Sequence, residues 1–126
     1  FEQLGEAGVA IDDTAGITVS QVRAKARRRQ QTQGLRLIIV DYLQLMQAET
    51  GRRRESTREQ DVAQVTRGLQ AIAKDLRVPV VALSQFNRAL RPDEEPTLAN
   101  LRESGELEQA ANVVLLLHRE DGQSVA

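Results

Sequence analysis

Two apolar runs in this chain end in polar side chains that could carry chemistry. Leu37-Ile38-Ile39-Val40 is followed by Asp41, and Val80-Val81-Ala82-Leu83 is followed by Ser84-Gln85. A carboxylate held at a strand end suits a phosphate-bound Mg²⁺, which keeps several waters and takes only one or two protein carboxylates. Glutamine both donates and accepts hydrogen bonds, so Gln85 could bond a phosphate or its attacking water. Alone, Asp41 is equally explained as a turn cap, and Ser84-Gln85 is better explained as ordinary strand-end polarity.

The elements between the two runs predict that these polar residues meet. Both runs are continuous rather than alternating, which indicates strands buried on both faces of a parallel sheet. Between them, Ser56-Thr57-Arg58-Glu59 matches a capping box with Ser56 at the N-cap. One apolar helix face follows it at steps of three and four residues: Val62, Val65, Leu69, Ile72 and Leu76. Because chemistry gathers beyond the carboxyl ends of parallel strands, we expect Asp41 and Ser84-Gln85 to share one site.

The flanking segments extend the same alternation of strands and helices. Val9-Ala10-Ile11 is a candidate strand, and Thr18 is a candidate N-cap for a helix over residues 19–32 that ends at Gly34. Residues 47–56 and 86–97 are predicted to be loops, short helical pieces are expected within 97–110, and residues 113–117 form a third apolar run. The sequence therefore predicts an α/β fold with a mainly parallel sheet flanked by helices.

Composition limits the classes of function. The 126 residues suffice for one small domain and contain no cysteine, which excludes disulfides and thiolate metal sites and fits a cytosolic setting. No apolar run is long enough to predict a membrane span. The net charge is -1, but arginines cluster within residues 23–29 and 52–58. With only Phe1, Tyr42 and Phe86 aromatic, any binding of nucleic acid would depend on phosphate contacts rather than base stacking.

Four segments together resemble one family. Residues 41–46, Asp-Tyr-Leu-Gln-Leu-Met, resemble the Walker B segment of DnaB-type replicative helicases. Residues 78–88 resemble the family's next block with its sensor glutamine, and residues 101–109 resemble a third block. The opening residues 11–18 are similar to the segment before Walker B. Order and spacing agree, and the resemblance covers roughly residues 9 to 120.

The resemblance implies a RecA-like P-loop NTPase core that binds ATP and Mg²⁺. It implies that Asp41 is the Walker B acid, acting on Mg²⁺ through water. It also implies that Gln85, with Ser84 beside it, is the sensor that links the nucleotide state to the DNA-binding loops.

The resemblance also implies a surface for single-stranded DNA. Arg102, Glu103 and Gly105 fall in the loop that lines the central channel in the family, where backbone N–H groups could hold phosphates. Arg52, Arg53 and Arg54 follow Walker B in a loop that faces the bound strand in RecA-like motors. For Arg27 to Arg29, a solvated or subunit-facing helix surface is the better interpretation.

Part of the expected machinery has no counterpart in the sequence. No G-x-x-x-x-G-K-[ST] segment occurs in the 126 residues, so the phosphate-cradling loop is expected upstream, together with the catalytic glutamate. The arginine finger is expected beyond Ala126. The chain is thus predicted to be one partial RecA-like domain over residues 1–126, with a flexible tail at about 120–126. We expect this piece alone not to hydrolyse ATP.

The resulting functional hypothesis is a piece of a replicative helicase motor. The full protein would couple ATP hydrolysis to translocation on single-stranded DNA and unwind duplexes as a ring homo-hexamer, with primase and a helicase loader as partners. Its setting would be the bacterial cytosol or a phage-infected cell, without a membrane. A recombinase or RadA-like ATPase is the alternative enzyme, disfavoured by residues 42–46 and 102–109. A non-catalytic module that binds DNA or a partner stays open, because Walker A is missing.

Overall fold

The computed structural model describes residues 8–49, 57–86, 95–98, 100–101 and 105–118. Its helices are α1 (Val19–Gln33), α2 (Arg58–Leu76) and α3 (Gly105–Ala110), and its strands are β1 (Ile38–Val40) and β2 (Val80–Ala82). A 3-10 helix, Leu43–Leu45, follows β1. Among these described helices, none is long and apolar enough to cross a membrane. Helices with a small parallel sheet confirm the predicted α/β class.

The two strands form a parallel pair with α2 as the connection between them. Ile38 aligns with Val80 and Val40 with Ala82. The pairing continues past both strand ends, because the Leu83 N–H donates to the Val40 carbonyl at 2.9 Å and the Leu43 N–H donates to the Leu83 carbonyl at 3.0 Å. The segments that leave the two strands are therefore held side by side.

One face of this sheet packs on the apolar side of α2. The helix residues at the predicted spacing are all buried, and Ile72 is 0% exposed. Ile38 and Val40 of β1 pack against this core, whereas Ile39 between them points the other way and is 62% exposed. The prediction that the strands are buried on both faces is therefore wrong for the described residues. Successive strand side chains point to opposite faces, and the described elements cover only one.

Helix α1 begins and ends as its sequence predicts. The Thr18 side chain accepts a hydrogen bond from the Gln21 N–H, the Gln21 side chain accepts one from the Thr18 N–H, and Gly34 ends the helix. Helix α1 lies close to α2 at Gly68, where a Cβ atom would stand 2.5 Å from Cγ1 of Val19. Only a glycine permits this approach, which buries Val19 in the core.

Helix α2 begins one residue later than its sequence motif predicts. Thr57, not Ser56, is the N-cap, and it forms the reciprocal pair of hydrogen bonds with Gln60 rather than Glu59. Both Ser-x-x-Glu and Thr-x-x-Gln satisfy the capping-box pattern, so the motif alone does not fix the register. Glu59 still lies in the first turn, where a negative charge is favourable at the helix amino terminus.

Two predicted strands are not strands in the structure. Residues 9–11 and 113–117 have no regular structure, with Ile11 90% exposed and Leu115 81% exposed. A strand forms only when its N–H and carbonyl groups find a neighbouring strand. Within the described part of the chain, neither segment pairs with β1 or β2. Their apolar composition therefore does not lead to burial here.

Candidate functional site

The parallel pairing brings the two predicted polar groups to the same edge of the sheet. Asp41 follows Val40 at the end of β1, and Ser84 and Gln85 follow β2 after Leu83. Asp41 and Gln85 are exposed, and Ser84 is half-buried. The side chains predicted to share a site thus stand at neighbouring strand ends, open to a ligand beyond the sheet.

The turn after Asp41 is anchored firmly in the core. The Asp41–Tyr42 peptide bond is cis, and the chain then enters the 3-10 helix. Leu43, the first residue of that helix, is 2% exposed and belongs to the core cluster beneath α2. The Met46 N–H closes the turn on the Leu43 carbonyl at 3.1 Å. Asp41 therefore stands between a paired strand and a buried anchor.

A side-chain contact that the sequence analysis did not predict joins the two strand ends. Nε2 of Gln44 donates a hydrogen bond to the Ser84 hydroxyl at 2.9 Å. The Ser84 hydroxyl lies 3.5 Å from the Gln85 carbonyl oxygen, to which it donates. The other end of the Gln44 amide, Oε1, is buried and has no hydrogen-bond partner within the described residues. The available sequence signal was a polar residue between the apolar Leu43 and Leu45, three residues after the Walker B-like acid.

The carboxylate of Asp41 is suited to a hydrated divalent cation. It is exposed, and within the described residues no ion pair or hydrogen bond occupies it. The described part of the chain contains no group of three or more His, Cys, Asp or Glu side chains that could hold a metal ion. One carboxylate is enough for Mg²⁺, which retains waters and takes its other ligands from phosphate oxygens. It would not be enough for a metal ion that is bound by protein side chains alone.

The residues predicted to bind DNA are only partly described. Arg52, Arg53, Arg54, Arg102 and Glu103 lie outside the described residues. Gly105 is the first residue of α3 rather than a loop residue, and a Cβ atom there would meet nothing within 4 Å. Its place in a helix differs from the loop predicted at this position, and the DNA contact of Gly105 stays a prediction.

The basic residues of α1 have two different environments. Arg27 and Arg28 are exposed, as expected for a solvated surface. Arg23 forms an ion pair of 2.9 Å with Asp75 of α2, and Nη2 of Arg29 donates to the Gly8 carbonyl at 2.9 Å. A subunit-facing role for this surface stays a prediction.

A second polar link ties the irregular segment before α1 to this helix. Nζ of Lys25 lies 2.5 Å from Oδ2 of Asp12, and the Thr14 side chain and N–H both donate to Oδ1 of Asp12. The hydrogen bond from Lys25, followed by those from Thr14, lowers the pKa of Asp12 from 3.8 to about 2. This carboxylate is engaged in holding the segment, in contrast to the unpaired carboxylate of Asp41.

Comparisons with known proteins agree with the motifs. Two bacterial relatives are the replicative DNA helicase DnaB of Geobacillus stearothermophilus, 48% identical over 120 residues, and that of Mycobacterium leprae, 50% identical over 123 residues. These alignments cover 94% and 96% of this chain, but only 26% and 20% of the two helicases. The chain thus spans about a quarter or less of their length.

A solved structure supports the same relationship. The structure of a DnaB-like replicative helicase, described with its interactions with primase, superposes with a TM-score of 0.82 at 34% identity. The match covers 99% of this chain and 32% of that one. The family model for the DnaB-like helicase C terminal domain matches residues 1–125. From sequence, architecture and the arrangement of the strand ends together, this chain belongs to the DnaB-like helicase C-terminal domain family.

Proposed function

We propose that this chain is a partial RecA-like domain, residues 1–126, of a replicative helicase that couples ATP hydrolysis to translocation on single-stranded DNA. One observation carries the proposal: Asp41 and Ser84-Gln85 follow adjacent parallel strands at the same sheet edge, in a chain of the DnaB-like helicase family. In sheets of this kind, ligands bind beyond the carboxyl ends of the strands.

In this proposal Asp41 orients a Mg²⁺ ion through a bound water. Asp41 would hold this ion through that water, and the ion would supply charge neutralisation for phosphoryl transfer from ATP. The exposed, unpaired carboxylate supports this role, because an ion-paired one would first have to give up its partner. The anchoring of Leu43 supports it too, since a metal-orienting group acts best from a rigid element.

Gln85 and Ser84 would be the partners of the nucleotide at the second strand end. The Gln85 side chain is exposed and neutral, so it could hydrogen-bond a terminal phosphate without adding charge. Loss of that phosphate on hydrolysis would remove the bond. Gln85 could thereby report the nucleotide state to the segment that follows it.

We propose single-stranded DNA as the nucleic acid along which the helicase translocates. Arg52, Arg53, Arg54 and Arg102 would contact phosphates, Glu103 would pair with arginines, and the backbone near Gly105 would approach the strand closely. Such contacts are sequence-independent and salt-sensitive, as a translocating motor requires. We further propose a ring homo-hexamer in the cytosol of a bacterium or a phage-infected cell, with primase and a helicase loader as partners. A solved relative is described in its interactions with primase, which supports that partner.

The test is Asp41→Asn in the full-length protein, because a carboxamide keeps the size of the side chain but weakens its hold on a metal-bound water. We expect Mg²⁺-dependent ATP hydrolysis in the presence of single-stranded DNA to fall about 10- to 100-fold, the usual effect of losing an outer-shell metal partner. The matched control is Asp75→Asn, which changes the exposed pair with Arg23 at the far end of α2. Equal rates for Asp41→Asn and the unmodified protein would contradict the role of Asp41, and DNA-independent hydrolysis would contradict the motor.

A further inference from the structure

We propose that Gln44 is a positioning residue that locks the end of β1 to the end of β2, so that Asp41 and Gln85 move as one unit. The inference rests on the proposed function, in which these two residues contact Mg²⁺-ATP. It adds a residue that touches neither nucleotide nor metal. Its role would be to pass a change at one strand end to the other.

The turn that carries Gln44 has little freedom of its own. Leu43 is buried in the core, its N–H is bonded to the Leu83 carbonyl at 3.0 Å, and its carbonyl accepts from Met46 at 3.1 Å. Gln44 is the next residue of the same short helix, so its backbone is fixed relative to both strands. Its side chain spans the remaining gap to Ser84.

The hydrogen bonds run in one direction across the two strand ends. The Gln44 amide nitrogen is a donor only, so the Ser84 hydroxyl oxygen accepts and its hydrogen stays free to donate. The Ser84 hydroxyl oxygen lies 3.5 Å from the Gln85 carbonyl oxygen, a long contact that a small movement would shorten or break. A short chain of donors thus leads from the turn after Asp41 to the backbone of Gln85.

Apolar packing does not account for an amide at this position. Oε1 of Gln44 is buried without a donor among the described residues, and an unsatisfied buried acceptor is costly. A methionine has nearly the same length and volume and would fill the space without that cost. The amide is therefore explained by what its donor end does at Ser84.

Gln30 provides a matched control. Its Nε2 also donates to one oxygen across the fold, the Leu76 carbonyl, at 2.7 Å, and the side chain is half-buried as well. This contact joins α1 to the end of α2 that precedes β2, at the opposite end of the strand from Ser84. Gln30→Met therefore removes an equivalent hydrogen bond without touching the candidate site.

The experiment compares Gln44→Met and Gln30→Met in the full-length protein. ATP hydrolysis is measured with and without a saturating single-stranded oligonucleotide, and thermal unfolding is recorded for each variant. For Gln44→Met we expect the ratio of DNA-stimulated to unstimulated kcat to fall about fivefold, the factor for one lost neutral hydrogen bond. The KM for ATP should stay unchanged, and the unfolding temperature should not fall. Gln30→Met should leave the ratio as it is.

Ser84→Ala tests the same contact from its other end and covers the case in which Gln44→Met fails to fold. It should lower the ratio at least as far, because it also removes the contact to the Gln85 carbonyl and the proposed contact to the nucleotide, and adding Gln44→Met to it should lower the ratio no further. An unchanged ratio for Gln44→Met, an equal fall for Gln30→Met, or additive effects would overturn the inference. If the unmodified protein shows no stimulation by DNA, the proposed function fails, and this inference fails with it.

Discussion

The two faces of the β1–β2 pair show how differently the same kind of residue can behave in this chain. Ile72 of α2, over the covered face, is 0% exposed, whereas Ile39 of β1, on the other face, is 62% exposed. Val81 and Leu83 of the second strand segment are also exposed on large parts of their surface. Apolar sequence predicts where a strand can form, but burial requires a layer opposite it.

Regions without such a layer are held by different forces. The covered region depends on close packing of α1, α2 and the strands around one core. In the segment before α1, Ile11 is exposed to solvent. Polar contacts hold this segment to α1, chiefly Lys25 with Asp12 and Arg29 with the Gly8 carbonyl. Exposed ion pairs contribute little free energy, so this region should unfold locally before the core does.

The largest effect is expected from truncating matched isoleucines on the two faces. Ile72→Ala should lower the free energy of unfolding by about 2–5 kcal/mol, because it leaves a cavity in a closely packed core. Ile39→Ala should cost less than about 1 kcal/mol, mostly through the poorer strand preference of alanine. Denaturant unfolding of this chain and both variants measures the difference. Equal losses would mean that the face carrying Ile39 is covered in solution.

Two glycines allow the packed and the open regions to be compared through smaller changes in stability. In Gly68→Ala the new methyl group would stand 2.5 Å from the Val19 side chain, so α1 must shift and about 1–3 kcal/mol of stability should be lost. In Gly105→Ala the methyl group meets nothing within 4 Å, and alanine should stabilise α3 by about 0.5–1 kcal/mol. Thermal unfolding of the two variants should therefore shift in opposite directions. A gain in stability for Gly68→Ala would show that the α1–α2 contact is loose.

The same contrast explains what the sequence could predict. The apolar spacing from Val62 to Leu76 and the cap at Thr18 are local signals, and both predicted their helices correctly. Residues 113–117 have an equally strong apolar signal, but strand formation depends on a partner that is distant in sequence, so that prediction is wrong for the described residues. The shared edge of Asp41 and Gln85 was predictable because two parallel strands must end on the same side. The Gln44–Ser84 contact was not predictable, because it joins residues 40 positions apart and depends on the conformation of the Gln44 side chain.

The smallest effect on stability is expected from the polar contacts of Asp12 in the segment before α1. Its partners lower the pKa of Asp12 from 3.8 to about 2. A lowered carboxyl pKa means that the folded state prefers the charged form, so the contribution is complete above pH 3.8 and disappears as the pH falls to about 2. The stability difference between the unmodified chain and Asp12→Asn should therefore shrink across this window. Raising the salt concentration at neutral pH should reduce it as well, because the pair is exposed.

The titration of Asp12 can be followed directly by the carbon chemical shift of its carboxyl group. Lys25→Met should move its midpoint upward toward 3.8, because the hydrogen bond that lowers the pKa most is removed while the two Thr14 bonds remain. Asp13→Asn is the matched control, since Asp13 is exposed and forms no ion pair within the described residues. It should leave the Asp12 midpoint nearly unchanged. A midpoint near 3.8 in the unmodified chain would mean that the Lys25–Asp12 pair does not persist in solution, and that the segment before α1 lacks its main charged tie to the packed region.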